Sequence, residues 1–280
     1  MTIALTHATA GGSRYVLGWS DAEQDRLIRQ ATLLAPLTER LFREAGIARG
    51  QRVLDIGSGV GDVSMIAARL VGPSGEVVGI ERDASYVARA ADRVAGVGFR
   101  NVTFIQADVN DLGIGPPFDA VVGRMVLSHL PDPVAVVRSV ARLVVPRGVI
   151  AFLEPTWSPT LAVSARVPLW SQLMTTIGEI FTRARGTAGR GLDLFEIFQD
   201  AGLGIPAMHL EMPLGLDASI AELQTDLLRA LLPAAEEAGV SVAELGCLDT
   251  LPERVHAALL EARAPICFVA LVGAWSRKPG

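Results

Sequence analysis

The stretch Val53-Leu54-Asp55-Ile56-Gly57-Ser58-Gly59-Val60-Gly61-Asp62 decides the fold of this chain. Apolar residues around a single acid read as the end of a short buried strand. Three alternating glycines then let the backbone turn tightly and come close to a ligand. Residues 63–70, VSMIAARL, follow with apolar residues at helical spacing. The reading is strand, glycine loop, helix. Free N–H groups at the start of such a helix favour an electron-rich group. The dinucleotide fingerprint G-x-G-x-x-G needs glycine at position 62, where this chain has Asp62.

Working outward, further strands are expected at 76–80 (EVVGI), 102–106 (VTFIQ), 120–123 (AVVG) and 148–154 (GVIAFLE). Helices are expected between them at 62–71, 83–95 and 133–145. Such alternation means a parallel sheet with helices on both faces, a doubly wound α/β fold. Ligands on these sheets bind beyond the C-terminal strand ends. The chemistry is therefore expected at residues 57–62, 81–83, 107–109, 123–129 and 154–157.

Acids stand at those ends. Glu81, in Gly79-Ile80-Glu81-Arg82-Asp83, follows the glycine loop by about 20 residues and can accept hydrogen bonds from both ribose hydroxyls. Asp83 suits a helix cap better. Asp108 follows the third strand and can accept from an exocyclic amine; Asp111 competes with it. Glu154, in Glu154-Pro155-Thr156-Trp157, is a substrate contact or a plain strand-end acid. Trp157, Trp170, Met174, Phe181, Phe195 and Phe198 line an apolar pocket or belong to the core.

The pattern D-x-G-x-G-x-G preceded by Val-Leu resembles motif I of the class I S-adenosylmethionine-dependent methyltransferases. The resemblance covers roughly residues 50–155 and continues more loosely to the C-terminus. The segment 118–133, FDAVVGRMVLSHLPDP, resembles the ubiquinone-biosynthesis-type branch. The resemblance implies a mostly parallel seven-stranded sheet, with the final strand antiparallel beside the sixth. S-adenosyl-L-methionine is then the cofactor and S-adenosyl-L-homocysteine the product. Gly57, Ser58 and Gly59 wrap its methionine end, and Asp55 orders the loop or reaches the amino group. Glu81 and Arg82 lie at the ribose. Asp108 reads the adenine amine, and Val109 packs on the ring. Arg124 contacts the cofactor carboxylate or an acidic acceptor, or pins its own loop; Met125 stands beside it. Arg124 also departs from the Asn-Pro-Pro-Tyr signature of adenine or glutamine N-methyltransferases. His129 is a general base, a cofactor shelf or a loop-ordering residue.

The chain ends extend this core. Residues 1–49 form an arm and helices, with a capping box at Ser20 and Glu23. Pro36 kinks the helix or opens a second one ending near Gly46. These helices pack on the sheet edge or close the site as a lid, as in relatives with a similar start; Tyr15 and Gln30 then lie near the cofactor. Residues 50–155 are the cofactor-binding core. Residues 156–280 add the remaining strands (205–213 and 266–275) and helical insertions at 161–184, 191–201 and 217–263, with breaks at Pro233 and Pro252. These insertions are expected to cap the acceptor, with Trp157, Trp170, Met174 and Glu154 as its contacts.

Composition fits a sizeable core: of 280 residues 50% are hydrophobic, and mean hydropathy is +0.38. No window reads as a membrane span. The start lacks secretory-signal features, so a cytoplasmic location is expected. Net charge is −5 without a basic block, which argues against nucleic acid as partner. Cys247 and Cys267 lack metal spacing, and no metal is expected. A homodimer fits the sequence without being required by it. The expected activity is methyl transfer to a small, largely apolar acceptor such as a quinone, isoprenoid, aromatic or secondary metabolite. Its rivals are a nicotinamide-dependent oxidoreductase and a catalytically silent cofactor-binding or partner protein.

Overall fold

The computed structural model describes residues 16–18, 20–109, 117–215 and 217–280. The arm at 1–14, Tyr15 and Asp111 lie outside the described residues. The strands β1 (Arg52–Ile56), β2 (Glu76–Glu81), β3 (Val102–Gln106), β4 (Phe118–Arg124) and β5 (Val144–Thr156) pair in parallel. Next in the chain is β6 (Ala207–Glu211). Then come two short strands, β7 (Leu214–Gly215) and β8 (Ile266–Cys267), which pair with each other. The last strand, β9 (Ala270–Arg277), runs antiparallel between β5 and β6. The main sheet thus has seven strands in the order β3-β2-β1-β4-β5-β9-β6. Connections leave β1 toward one edge and return at β4 on its other side. A crevice opens at that reversal, above the C-terminal ends.

Side chains alternate across the strands and feed a core on each face. Val53, Ala120, Val122, Ala151 and Leu153 face one cluster. Leu54, Ile56, Val121, Ile150 and Phe152 face the other. The first face is covered by α1 (Asp21–Ala45), α2 (Asp62–Val71) and the later helices of the cap. The second takes α4 (Pro133–Arg142) and α7 (Leu194–Asp200). α3 (Ala84–Gly96) packs near β2 and β3.

Local signals explain many element boundaries. Ser20 caps α1 by accepting from the Glu23 N–H at 3.2 Å. Asp83 caps α3 by accepting from the N–H groups of Ser85 and Tyr86. Asp132 does the same for α4, with Pro133 in its first turn. Pro36 neither ends α1 nor opens a second helix; it lies inside one helix that closes at Gly46. Likewise Pro233 lies inside α8 (Ser219–Glu237) rather than breaking it. Packing on the core outweighs the lost N–H bond at both sites. α4 stops at Arg142, short of the expected 145, because Val144 begins β5. The helix expected over 161–184 is two, α5 (Ser158–Ser164) and α6 (Pro168–Arg185), with Pro168 opening the second. The expected last strand is also split: Phe268 and Val269 fall between β8 and β9.

α5, α6, α8 and α9 (Leu251–Ala262) form the cap. α8 packs on α6 and α1, and Arg29 pairs with Asp226 across the α1–α8 contact at 2.6 Å. Trp157 joins the sheet to this cap. Its Nε1 donates to the Met174 carbonyl at 2.9 Å, and its ring meets Phe181 edge-on at 6.0 Å. The indole rests on Gly178, where a Cβ would collide with it. Gly178→Ala should therefore cost about 1–3 kcal/mol in urea unfolding and shift tryptophan emission. Unchanged stability and emission would contradict this packing.

Candidate active site

The glycine loop follows β1 and hugs its neighbours. Gly57 has φ 65°, and an added Cβ would come within 2.6 Å of Val126 Cγ2. The Ser58 N–H donates to the Ile80 carbonyl at 2.9 Å, and the Gly59 N–H donates to Glu81 Oε2 at 3.1 Å. Glu81 Oε1 accepts from the N–H groups of Arg82 and Asp83. Glu81 therefore ties the loop to the tip of β2. Burial pushes its carboxyl up, against those three donors.

Asp55 lies behind the loop and is 1% exposed. Its Oδ2 accepts from the Ser64 hydroxyl at 2.6 Å. This contact joins β1 to α2, while Oδ1 is buried with no partner among the described residues. Burial raises its carboxyl to about 7, despite the Ser64 hydrogen bond.

The β4 turn forms the next wall. Met125 sits at φ 54°, which is strained for a residue with a side chain. Glu154 anchors the three residues after it. Its Oε1 accepts from the Val126 and Leu127 N–H groups, both at 2.8 Å. Its Oε2 accepts from the Ser128 N–H at 3.1 Å and hydroxyl at 2.7 Å. This corrects the expected substrate contact: Glu154 is fully buried and its oxygens serve the turn. Trp170 and Met174 are corrected as well. Both are fully buried in α6, within the core, and neither lines the cavity. Phe195 is exposed and Phe198 belongs to the opposite core.

A cavity of ≈ 380 Å³ lies over the strand tips. The loop, Glu81, Arg82, Asp108, Val109, Arg124, Met125 and His129 all face it, as do Gln30 and Trp157. Arg124 donates to Thr38 Oγ1 at 3.1 Å. His129 is half-buried, 3.0 Å from an Arg185 nitrogen at its Nδ1. Burial first, then the Arg185 cation, hold its imidazole well below the ordinary histidine value. The ring is neutral at pH 7 and weakly basic, which suits a hydrogen-bond acceptor better than a proton acceptor.

Arg26 belongs to the same family-like start as Gln30, whereas several other wall residues had no motif to announce them. Arg26 grips Glu23 through two 2.7 Å hydrogen bonds and donates to Gln30 Oε1 at 2.8 Å. Gln30 Nε2 then approaches Met125 Sδ at 3.4 Å. Glu23, Arg26 and Gln30 stand three and four residues apart on α1, a spacing that could have revealed the chain. Tyr86, Arg185, Gln224 and Phe268 also line the cavity. Ser58 is buried, and its hydroxyl has no partner among the described residues. This polar loop atom, with carboxylates at the tips of β2 and β3, suits a ligand with several polar groups. Among the described residues there is no cluster of metal-ligating side chains, and no helix is long and apolar enough to cross a membrane.

Comparison with known proteins gives this architecture its class. A model described as a methyltransferase domain matches residues 47–202. The chain belongs to that family, in the class I form that depends on S-adenosylmethionine. It is 33% identical over 141 residues to a ubiquinone/menaquinone biosynthesis C-methyltransferase of Pseudomonas paraeruginosa. That match spans 49% of this chain and 55% of the relative. A demethylmenaquinone methyltransferase of Staphylococcus aureus is 26% identical over 196 residues, 61% of this chain and 80% of that protein. Among solved structures, a candidate methyltransferase of Bacillus halodurans shares the fold with a TM-score of 0.59 at 15% identity. It matches 87% of this chain and 99% of its own.

The raised Asp55 carboxyl gives a pH prediction. A folded value above the unfolded one stabilises below the unfolded value, and that stability is lost as pH rises through about 7. Between pH 5.5 and 8.5 the wild type should lose about 2 kcal/mol relative to Asp55→Asn in urea unfolding. Parallel stability profiles would refute the assignment.

Proposed function

We propose that this protein transfers a methyl group from S-adenosylmethionine to a small, largely apolar acceptor held under the cap. One observation carries the reading: a single cavity joins the glycine loop and the strand-tip acids to an apolar wall. That wall is made by Trp157, Phe181, Leu227, Phe268 and Val269. Gly57, Ser58 and Gly59 would hold the methionine end, Glu81 and Arg82 the ribose, and Asp108 and Val109 the adenine. Arg124 and Met125 would close the site beside the loop, and Gln30 would reach it from α1. S-adenosylmethionine supplies a methyl group already activated by its positive sulfur. The protein's part is to align the acceptor and exclude water. His129 accepts from Arg185 and so orients a cation toward an acceptor oxygen. The names of the two relatives make a quinol or similar ring the first acceptor to test.

The same reading includes a cytoplasmic protein that acts on no nucleic acid, supported by the net charge of −5. A homodimer through the outer strand β6, which carries exposed Leu210, belongs to it too. In this reading residues 1–49 serve as the lid, 50–155 as the cofactor-binding core and 156–280 as the acceptor side.

Calorimetry with S-adenosylhomocysteine tests the cofactor half. Glu81→Ala and Asp108→Ala should each weaken binding about 10- to 100-fold. Undiminished affinity in both would sink the assignment. For the chemistry, His129→Gln keeps an acceptor for Arg185. With a quinol as acceptor, its turnover should stay within about 10-fold of wild type. A loss of about 100-fold or more would instead mark His129 as the proton acceptor.

A further inference from the structure

Gln224 is the feature of the cavity that the cofactor assignments leave unused. It lies on α8, beyond the residues that the family model matches. The buried face of that helix is otherwise mostly apolar, with Ile220, Leu223, Leu227, Leu228 and Leu231. Gln224 is 1% exposed and lines the cavity, yet its Oε1 has no hydrogen-bond partner among the described residues. A buried carbonyl without a donor destabilises the fold. Methionine would fill nearly the same volume without that cost. An amide at this place therefore answers to something other than packing.

The chemistry of the partner is set by the atom left over. A glutamine offers one carbonyl acceptor and two N–H donors, and here the acceptor is unmatched. Leu227, one turn further along α8, and Phe268 and Val269 surround the cavity with apolar surface. We propose that Gln224 is a specificity-determining residue that accepts a hydrogen bond from the methyl acceptor. The acceptor class is then an apolar body that carries at least one O–H or N–H group. A fully alkylated or otherwise aprotic molecule leaves the carbonyl buried and unmatched, and is rejected for that reason. This inference rests on the methyl-transfer reading and names the acceptor side of the same cavity.

The test uses the full chain saturated with S-adenosylhomocysteine, whose affinity is measured first in wild type and Gln224→Met. The probes are 1,3-dihydroxynaphthalene and its dimethyl ether, titrated by calorimetry. The wild type should bind the diol about 10-fold more tightly than the ether, and Gln224→Met should narrow that ratio to about 2-fold. Gln224→Glu, which keeps an acceptor, should retain the preference. Ligand-free Gln224→Met should also melt at a higher temperature than wild type, since it loses the unmatched carbonyl. An unchanged ratio in the methionine variant, no preference or no probe binding in the wild type, or a lower melting temperature would each overturn the proposal. Failure of the wild type to bind S-adenosylhomocysteine would instead overturn the methyl-transfer reading beneath it.

Discussion

The carboxylate of Glu154 holds the site together. It lies near the end of β5 and takes four hydrogen bonds from three consecutive residues of the β4 turn. Those N–H groups begin a short helical turn that supplies them with no partners of its own. With the turn fixed, Val126 lies against Gly57. The glycine loop and the β4 turn thus brace each other through one methyl group and one missing side chain. Arg124, Met125 and His129 take their places at the cavity from that brace. Burial pushes the Glu154 carboxyl up, and the four hydrogen bonds from Val126, Leu127 and Ser128 oppose that shift.

The second wall depends on a chain of contacts rather than on any motif. Trp157 sits on Gly178 and meets Phe181. Arg185 lies over the Phe181 ring at 4.0 Å and reaches His129. The sequence of contacts runs from the end of β5 through α6 and back to the β4 turn. It lets helices of the cap position a cation at a ring placed by the sheet. From the other side, α1 brings Arg26 and Gln30 to Met125. The strained residue of the turn is therefore held from α1, and the imidazole from the cap.

How much of this could be read from residues alone depended on range. The loop, α2 and β3 were legible because glycines, acids and capping residues act within a few positions. Asp83 was readable as a cap for the same reason. Pro36 and Pro233 misled because their effect is settled by distant packing: each lies in a long helix with a buried face. Glu154 could not be assigned from its strand-end position, since its partners are 26–28 residues away. Trp170 and Met174 looked like pocket residues by type, but the inward face of α6 points to the core. Gln224 carried no local signal beyond being polar among leucines. Only the cavity made that anomaly visible.

The position of β9 has a consequence for how the chain reaches its final form. This strand is the last in sequence, yet it pairs with β5 on one side and β6 on the other. During synthesis from the N-terminus, β6 emerges some 60 residues before the strand that will attach it to the sheet. Until then the flank of β5 is an open ribbon edge, and such edges invite pairing with other chains. The cap helices α8 and α9 are made in that interval, so they can shelter apolar surface before the last strand slots between its neighbours. Assembly ends one strand in from the sheet's edge, and the late arrival of this penultimate strand makes slow, non-local closure part of this topology.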